Sequence, residues 1–198
     1  MESEVTLVLR DVPYVLRGDC VGVELGAYAL VRDLHSLECA IGDFDSVSAQ
    51  EYELIKAQVS NIIKVSSIKD ESDSELAIKW CIEKGYTRIH VYGALDERLD
   101  HQHINCLLAY KYPSIILYND QNKIQAYETG EYCIEKEDYT YFSVFAYLPA
   151  NISLIGFKYP LNQYDLTIEE LKTVSNQWIK KDATLSVHQG KVLVYLTR

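Results

Sequence analysis

Glu38-Cys39-Ala40-Ile41-Gly42-Asp43-Phe44-Asp45-Ser46-Val47-Ser48-Ala49-Gln50-Glu51 is the stretch on which the fold turns. Its first four residues read as a short strand. Ser48 and Glu51 stand three apart, the spacing of a capping box, in which each side chain satisfies an orphan amide at a helix start. A helix therefore opens at Ser48 and runs to about Gln58. A strand, an acidic turn and a capped helix in that order form half of a βαβ unit.

The same alternation extends both ways. Upstream, Val5–Leu9 and Cys20–Val23 read as strands, and a helical stretch lies near Ala27–Leu34. Downstream, Ile62–Val65 is β-rich. Ser72-Asp73-Ser74-Glu75 is a second capping box, opening a helix on which Leu76 and Trp80 are expected to face the core and which ends at Lys84-Gly85. Arg88–Tyr92 is a strand, about His101–Tyr110 a helix with Ile104, Leu107 and Leu108 on one face, and Ser114–Tyr118 another strand. Alternating strands and helices imply a mostly parallel sheet with helices on both faces.

The alternation stops at Asn119-Asp120-Gln121-Asn122, a polar turn cluster. Beyond it come strand-like runs at Lys123–Tyr127, Tyr139–Tyr147, Thr184–Val187 and Lys191–Leu196. His188-Gln189-Gly190 reads as a hairpin turn between the last two, and Thr167–Val174 has helical character. The expected fold class is α/β: an N-terminal domain over 1–120, followed by a C-terminal β-sandwich module over 121–198.

Composition narrows the class of protein. Of 198 residues, 48% are hydrophobic and 24% charged, enough to bury a core. No run approaches the ~20 apolar residues of a membrane span, and Met1-Glu2-Ser3-Glu4 is acidic where a secretory signal is basic. A cytoplasmic protein is expected, with no membrane partner. Cys20, Cys39, Cys81, Cys106 and Cys133 are scattered, which argues for buried reduced thiols rather than disulfides or zinc. A net charge of −10 makes nucleic acid a poor partner.

Open parallel sheets bind ligands beyond the carboxyl ends of their strands. Acidic residues recur there: Glu24, then Asp43 and Asp45, then Asp70, Glu71 and Asp73, then Asp96, Glu97 and Asp100. Carboxylates gathered at one edge repel one another unless a cation sits among them, and an all-oxygen donor set suits magnesium. Any single Asp after a strand can equally be a turn former or N-cap. That is the stronger reading for Asp73, which follows Ser72. Arg98 suits either a local ion pair or a phosphate clamp. His101 and His103 are two apart and fall on different helix faces, which disfavours a zinc pair. A P-loop, a dinucleotide-binding glycine motif and a Gly-x-Ser-x-Gly elbow are all absent.

At these positions the sequence resembles the thiamine pyrophosphokinase family, over most of the chain. Gly42-Asp43-Phe44-Asp45-Ser46-Val47 matches that family's most recognisable motif. Lys69-Asp70-Glu71-Ser72-Asp73 resembles its Lys-Asp-x-Thr-Asp helix start. Arg98-Leu99-Asp100-His101, with Asn105, resembles its Arg-x-Asp-His-x-x-x-Asn segment. Lys158-Tyr159-Pro160-Leu161 and Ser175-Asn176-Gln177-Trp178 resemble its thiamine-side module.

The resemblance implies transfer of a diphosphate from ATP to the hydroxyl of thiamine, with release of AMP, in a homodimer that binds thiamine between subunits. It implies magnesium at Asp43, Asp45, Asp70 and Asp73. Asp43, Asp45, Asp73 and Asp100 would be catalytic, with Asp100 near the thiamine hydroxyl. Ser46, Arg98, His101 and Asn105 would hold the nucleotide. Ser175, Asn176 and Trp178 would line the thiamine pocket, Trp178 either stacked on the cationic heterocycle or in the core. Where the family has Gly-Gly-Arg this chain has Asp96-Glu97-Arg98, two acids that must turn outward to spare a triphosphate. Glu24 replaces an Asp, and Arg10-Asp11-Val12-Pro13 replaces glycines after the first strand. Other chemistry open to an Asp-x-Asp pair is an aspartyl-phosphate phosphatase. A non-catalytic thiamine or nucleotide sensor is the third possibility.

Overall fold

The computed structural model describes residues 3–11, 13, 15–66, 70–96 and 98–198. Chain packing separates two units, one of residues up to Asn105 with Leu117–Asn119, the other of Cys106–Ile116 with Asp120–Arg198.

The first unit runs β1 (Glu4–Val8), β2 (Asp19–Val23), α1 (Leu25–Arg32), β3 (Cys39–Gly42), α2 (Ala49–Gln58), β4 (Ile62–Lys64), α3 (Asp73–Glu83), β5 (Arg88–Tyr92) and the start of α4 (Leu99–Lys111). Its strands lie in the order β4-β3-β2-β1-β5, each pair parallel. β1 is central. Val5, Leu7 and Val8 are wholly buried, as expected of a strand covered on both faces. Neighbouring residues of β3 show the two coverings. Ala40 packs with Ala27, Val31 and Ile55 of α1 and α2. Cys39, wholly buried, lies on the opposite face, where α3 packs against the sheet.

The capping box at Ser48 forms in full: Glu51 N–H donates to Ser48 Oγ at 3.3 Å, and Ser48 N–H to the Glu51 carboxylate at 2.7 Å. At α3, Glu75 N–H donates to Ser72 Oγ at 3.2 Å, while the Glu75 carboxylate lies 3.5 Å from Lys79 Nζ. Two expected core faces are rotated. On α3 the buried residues are Ala77, Ile78 and Cys81, with Leu76 and Trp80 half-buried. On α4, Leu108 is buried but Ile104 is 47% exposed. The sheet-facing positions of α3 are Ala77, Ile78 and Cys81, and Leu76 and Trp80 lie at the margin of that face.

The second unit is a β-sandwich. β7 (Asn122–Tyr127), β13 (Val192–Thr197) and β9 (Tyr141–Phe145) form one antiparallel array, following β6 (Ile115–Tyr118) in sequence. β8 (Gly130–Glu135), β12 (Asp182–Gln189), β10 (Ala150–Ile155) and β11 (Leu161–Leu166) form the other. Their inner faces share one core that includes Phe142, Val144, Ile152, Leu154, Leu185 and Val194. His188-Gln189-Gly190 is not a hairpin turn, because β12 pairs with β10 and β8 whereas β13 pairs with β7 and β9. It carries the chain from one sheet to the other. Thr167–Val174 forms turns rather than a helix. Among the described residues no helix is long and apolar enough to cross a membrane. Cys20, Cys39 and Cys81 are buried as expected, but Cys133 is exposed; burial pushes the Cys81 thiol up to about 12.

Candidate active site

Parallel strands deliver their loops to one edge, and here those loops enclose a cavity of about 530 Å³. Its size suits a small-molecule ligand. Asp43, Asp45, Ser46, Asp73, Arg98, His101 and Asn105 all line it. Of the residues expected in the first unit's site, Asp70 and Asp100 are not in the lining. Lys69 and Glu97 lie outside the described residues.

The loop after β3 is shaped by Glu24, which reaches it from the end of β2. Glu24 Oε1 accepts the Phe44 N–H at 2.8 Å, and Oε2 accepts the Ser46 hydroxyl at 2.7 Å. Asp43 Oδ1 accepts the Asp45 N–H at 3.1 Å, closing an Asx turn. Phe44 is buried between the two aspartates, its ring 4.9 Å from that of Tyr52, and drives the turn into the α1–α2 core. A Cβ at position 42 would overlap Glu24 Oε1, so Gly42 is what allows the carboxylate to cross the loop. Glu24 and Phe44 both hold positive φ, 52° and 60°. Such backbone strain survives only where surrounding contacts over-determine it, and it concentrates at functional sites.

The consequence is a carboxylate cluster. One ligand-capable oxygen from each of Glu24, Asp43 and Asp45 lies within 4.8 Å of the others. The donors are all oxygen, the set that suits a hard divalent cation, and Asp73 faces the same cavity. The sequence placed Glu24 among the acids at this edge but not among the metal ligands; the structure puts it in the cluster with Asp43 and Asp45.

Around the cluster the charges are held in pairs. Lys79 Nζ lies 3.0 Å from Glu71, and that hydrogen bond keeps the Glu71 carboxyl below the ordinary range. Arg98 donates to both oxygens of Asp100, at 3.1 and 2.6 Å, and this holds the Asp100 carboxyl low. Asn105 is buried, and its Nδ2 donates to Ala94 O at 2.9 Å, tying α4 to the loop after β5. Of the two acids expected to turn outward, Asp96 is exposed, accepts from Asn119 Nδ2 at 2.9 Å and is not in the cavity lining.

In the second unit, Ser175, Asn176 and Trp178 share one segment. Ser175 has φ 57° and its N–H donates to Ser143 Oγ. Asn176 is buried, its side chain accepting from Tyr159 N at 3.0 Å and donating to Tyr159 O at 2.8 Å. Trp178 is 9% exposed, packs against Phe142 and Phe157, and donates Nε1–H to Ile134 O at 3.0 Å. Of the two readings of this ring, its burial supports the core one.

Fold and site together define an open α/β protein whose cavity sets a carboxylate cluster beside the arginine Arg98, joined in sequence to a β-sandwich. Comparison with known proteins makes this specific. The profile for the thiamin pyrophosphokinase catalytic domain matches residues 20–126, and that for the family's vitamin B1 binding domain matches 131–192. A thiamine pyrophosphokinase from Bacillus subtilis (strain 168) is 34% identical over 182 residues, covering 88% of this chain and 85% of that protein. The crystal structure of thiamine pyrophosphokinase from Bacillus subtilis superposes with TM-score 0.89 at 30% identity, over 98% of this chain and 99% of that one. A thiamin pyrophosphokinase family protein from Enterococcus faecalis gives 0.89 at 28%, over 99% of each chain. The chain belongs to the thiamin pyrophosphokinase family.

Proposed function

We propose that the cavity is the catalytic centre of a thiamine diphosphokinase, and that the reaction is built from the residues just described. The enzyme transfers the diphosphate of ATP to the hydroxyl of thiamine and releases AMP. The hydroxyl oxygen bonds to the β-phosphorus, the bond from that phosphorus to the bridging oxygen of AMP breaks, and the hydroxyl proton leaves. Such a transfer asks mainly for positioning and charge neutralisation.

The observation that carries this reading is the Glu24–Asp43–Asp45 cluster opening on a cavity that also presents Arg98. Asp43 and Asp45 are the proposed magnesium ligands, with Glu24 in the same cluster and Asp73 lining the same cavity; Asp70 lies outside that lining and is the weaker candidate. Bound there, magnesium would neutralise charge on the transferring diphosphate. Arg98 and His101 bind phosphate oxygens, Asn105 ties the helix start that carries them to the loop after β5, Ser46 braces the Asp43–Asp45 loop through Glu24, and Asp100 accepts the hydroxyl proton. Arg98 holds the Asp100 carboxyl low, so it is ionised at neutral pH but a weak base, and it assists only as the proton leaves.

Thiamine binds on the Ser175–Trp178 segment, with Asn176 and Trp178 holding its shape from the core. We further propose a cytoplasmic homodimer, with residues 1–120 serving ATP and 121–198 serving thiamine. Exposed apolar side chains of the sandwich support the dimer, among them Leu148, Ile155, Leu171 and Ile179 at 64–71% exposure.

Incubation with ATP, magnesium and thiamine tests the reading. AMP and thiamine diphosphate in equal amounts are expected. Inorganic phosphate alone would point to a phosphatase, and binding without product to a sensor.

A further inference from the structure

The loops around the cavity are sorted by charge along the sheet. In the strand order β4-β3-β2-β1-β5, β4 is followed by Glu71 and Asp73, β3 by Asp43 and Asp45, and β2 by Glu24. β1 is followed by Arg10 and β5 by Arg98. All seven line the cavity. The acids occupy one side and the guanidiniums the other, and the boundary falls between β2 and β1.

Arg10 is placed there by the backbone. Leu9 N–H donates to Tyr92 O at 3.0 Å, so the chain continues alongside β5 past the end of β1. This sets Arg10 against Gly93. A Cβ on Gly93 would lie 2.9 Å from Arg10 N, 3.1 Å from its Cβ and 3.4 Å from its Cγ. The stem of the half-buried Arg10 therefore runs through space that only a glycine leaves open. Gly93 has φ +79°, a conformation that also favours glycine. Arg10 lines the cavity together with Arg98, which makes two hydrogen bonds to Asp100.

We infer that Arg10 binds the polyphosphate of the nucleotide, on the side away from the carboxylate cluster, and is a positioning residue for ATP. The inference rests on the nucleoside-triphosphate reading of the cavity. A polyphosphate lying across the strand ends meets the carboxylates, where a cation can bridge, on one flank. On the other it meets guanidinium donors, whose planar fork matches phosphate oxygens.

The test uses the full chain, its Arg10→Gln and Arg10→Lys variants, and Gly93→Ala. α,β-Methylene-ATP, which keeps the charge but cannot be cleaved at the reacting bond, serves as the binding probe with magnesium present. Its dissociation constant and the KM for ATP should rise about ten- to a hundredfold in Arg10→Gln, the range of a lost charge-assisted hydrogen bond. The KM for thiamine should stay within about twofold. Arg10→Lys should recover part of the loss, because it restores charge without the fork. Gly93→Ala should weaken the analogue in the same direction by displacing the Arg10 stem, and combining it with Arg10→Gln should add little. Unchanged analogue binding in Arg10→Gln, beside an active wild type, would overturn the assignment of Arg10 alone. A wild type that neither binds the analogue nor forms product would overturn the nucleotide reading and the assignment with it.

Discussion

Replacing Glu24 with glutamine should leave the metal-free protein as stable as the wild type or more so, and should blunt its response to magnesium. The argument sets two effects against each other. Glu24 accepts hydrogen bonds from Phe44 N at 2.8 Å and Ser46 Oγ at 2.7 Å. A glutamine can keep both contacts, accepting from Phe44 and donating to Ser46, so the loss is the charge assistance, about 1 kcal/mol for each bond. Against this stands repulsion from Asp43 and Asp45, whose ligand-capable oxygens lie within 4.8 Å of that of Glu24. At that separation a pair of unit charges costs about 0.9 kcal/mol in water and about 3.5 kcal/mol at an effective dielectric of 20. The cluster is partly exposed, which places two relieved pairs at roughly 2–4 kcal/mol in total. Relief therefore equals or exceeds loss.

A bound divalent cation reverses the balance, because the removed charge then attracted the ion. A tenfold weaker affinity removes about 1.4 kcal/mol of ligand stabilisation at saturation, or about 3–6 °C for a chain of this size. Thermal unfolding by circular dichroism, in EDTA and across a magnesium series, should give curves that cross: Glu24→Gln at or above wild type without metal, and below it at saturation. A variant that falls by more than about 2 kcal/mol in EDTA, yet gains as much from magnesium as wild type, would show Glu24 to be a strut only. The shared-cation reading of the three carboxylates would then fail.

Asp43→Asn and Asp45→Asn should each lower turnover at least about a hundredfold while the denaturation midpoint moves little; full activity in either removes the metal-site argument. Ser48→Ala should cost about 1 kcal/mol in urea unfolding, the usual worth of an N-cap. The Glu51 carboxyl is held below its ordinary 4.5 by the Ser48 N–H, so its contribution is complete above that value and is lost as the pH falls through the lowered one. The stability gap between wild type and Glu51→Gln should accordingly be full at pH 7 and close on acidification below about 4.5. Trp178→Phe should cost about 1–3 kcal/mol by removing the Nε1–H bond to Ile134 O and part of the packing against Phe142 and Phe157, with the KM for thiamine within about threefold. A large rise in that KM at unchanged stability would instead place the ring on the vitamin.

What the sequence revealed of the fold follows from which signals are local. Ser48–Glu51 and Ser72–Glu75 announce their helices because a cap is satisfied within four residues. β1, β2 and β5 show as apolar runs because both of their faces are covered. The sandwich was harder to read. β8 and β11 are polar on their outward positions, burying chiefly Ile134 and Leu166, so alternation was too weak to mark them. β10, though apolar, was passed over as well. The turn at 188–190 looked like a hairpin because adjacent strands usually pair. The pairing of β13 with β7 and β9 depends on contacts more than 40 residues distant in sequence, which no local pattern encodes.

The site shows the same division, and its reason is geometric. Asp43 and Asp45 were visible because the motif that carries them is contiguous. Glu24 and Arg10 acquire meaning only once β2 is seated beside β3, and β1 beside β5, since their partners are Ser46, Phe44 and Gly93 on those neighbouring loops. Both were visible as departures from the family pattern, a longer acid and an added arginine, and taken alone both suggest a weakened nucleotide site. In three dimensions each fills a place made for it. The Glu24 carboxylate spans from Phe44 to Ser46 across Gly42, and the bare face of Gly93 takes the stem of Arg10. Two glycines and two substitutions therefore act as pairs, and a change at either glycine should disturb the charge that lies over it.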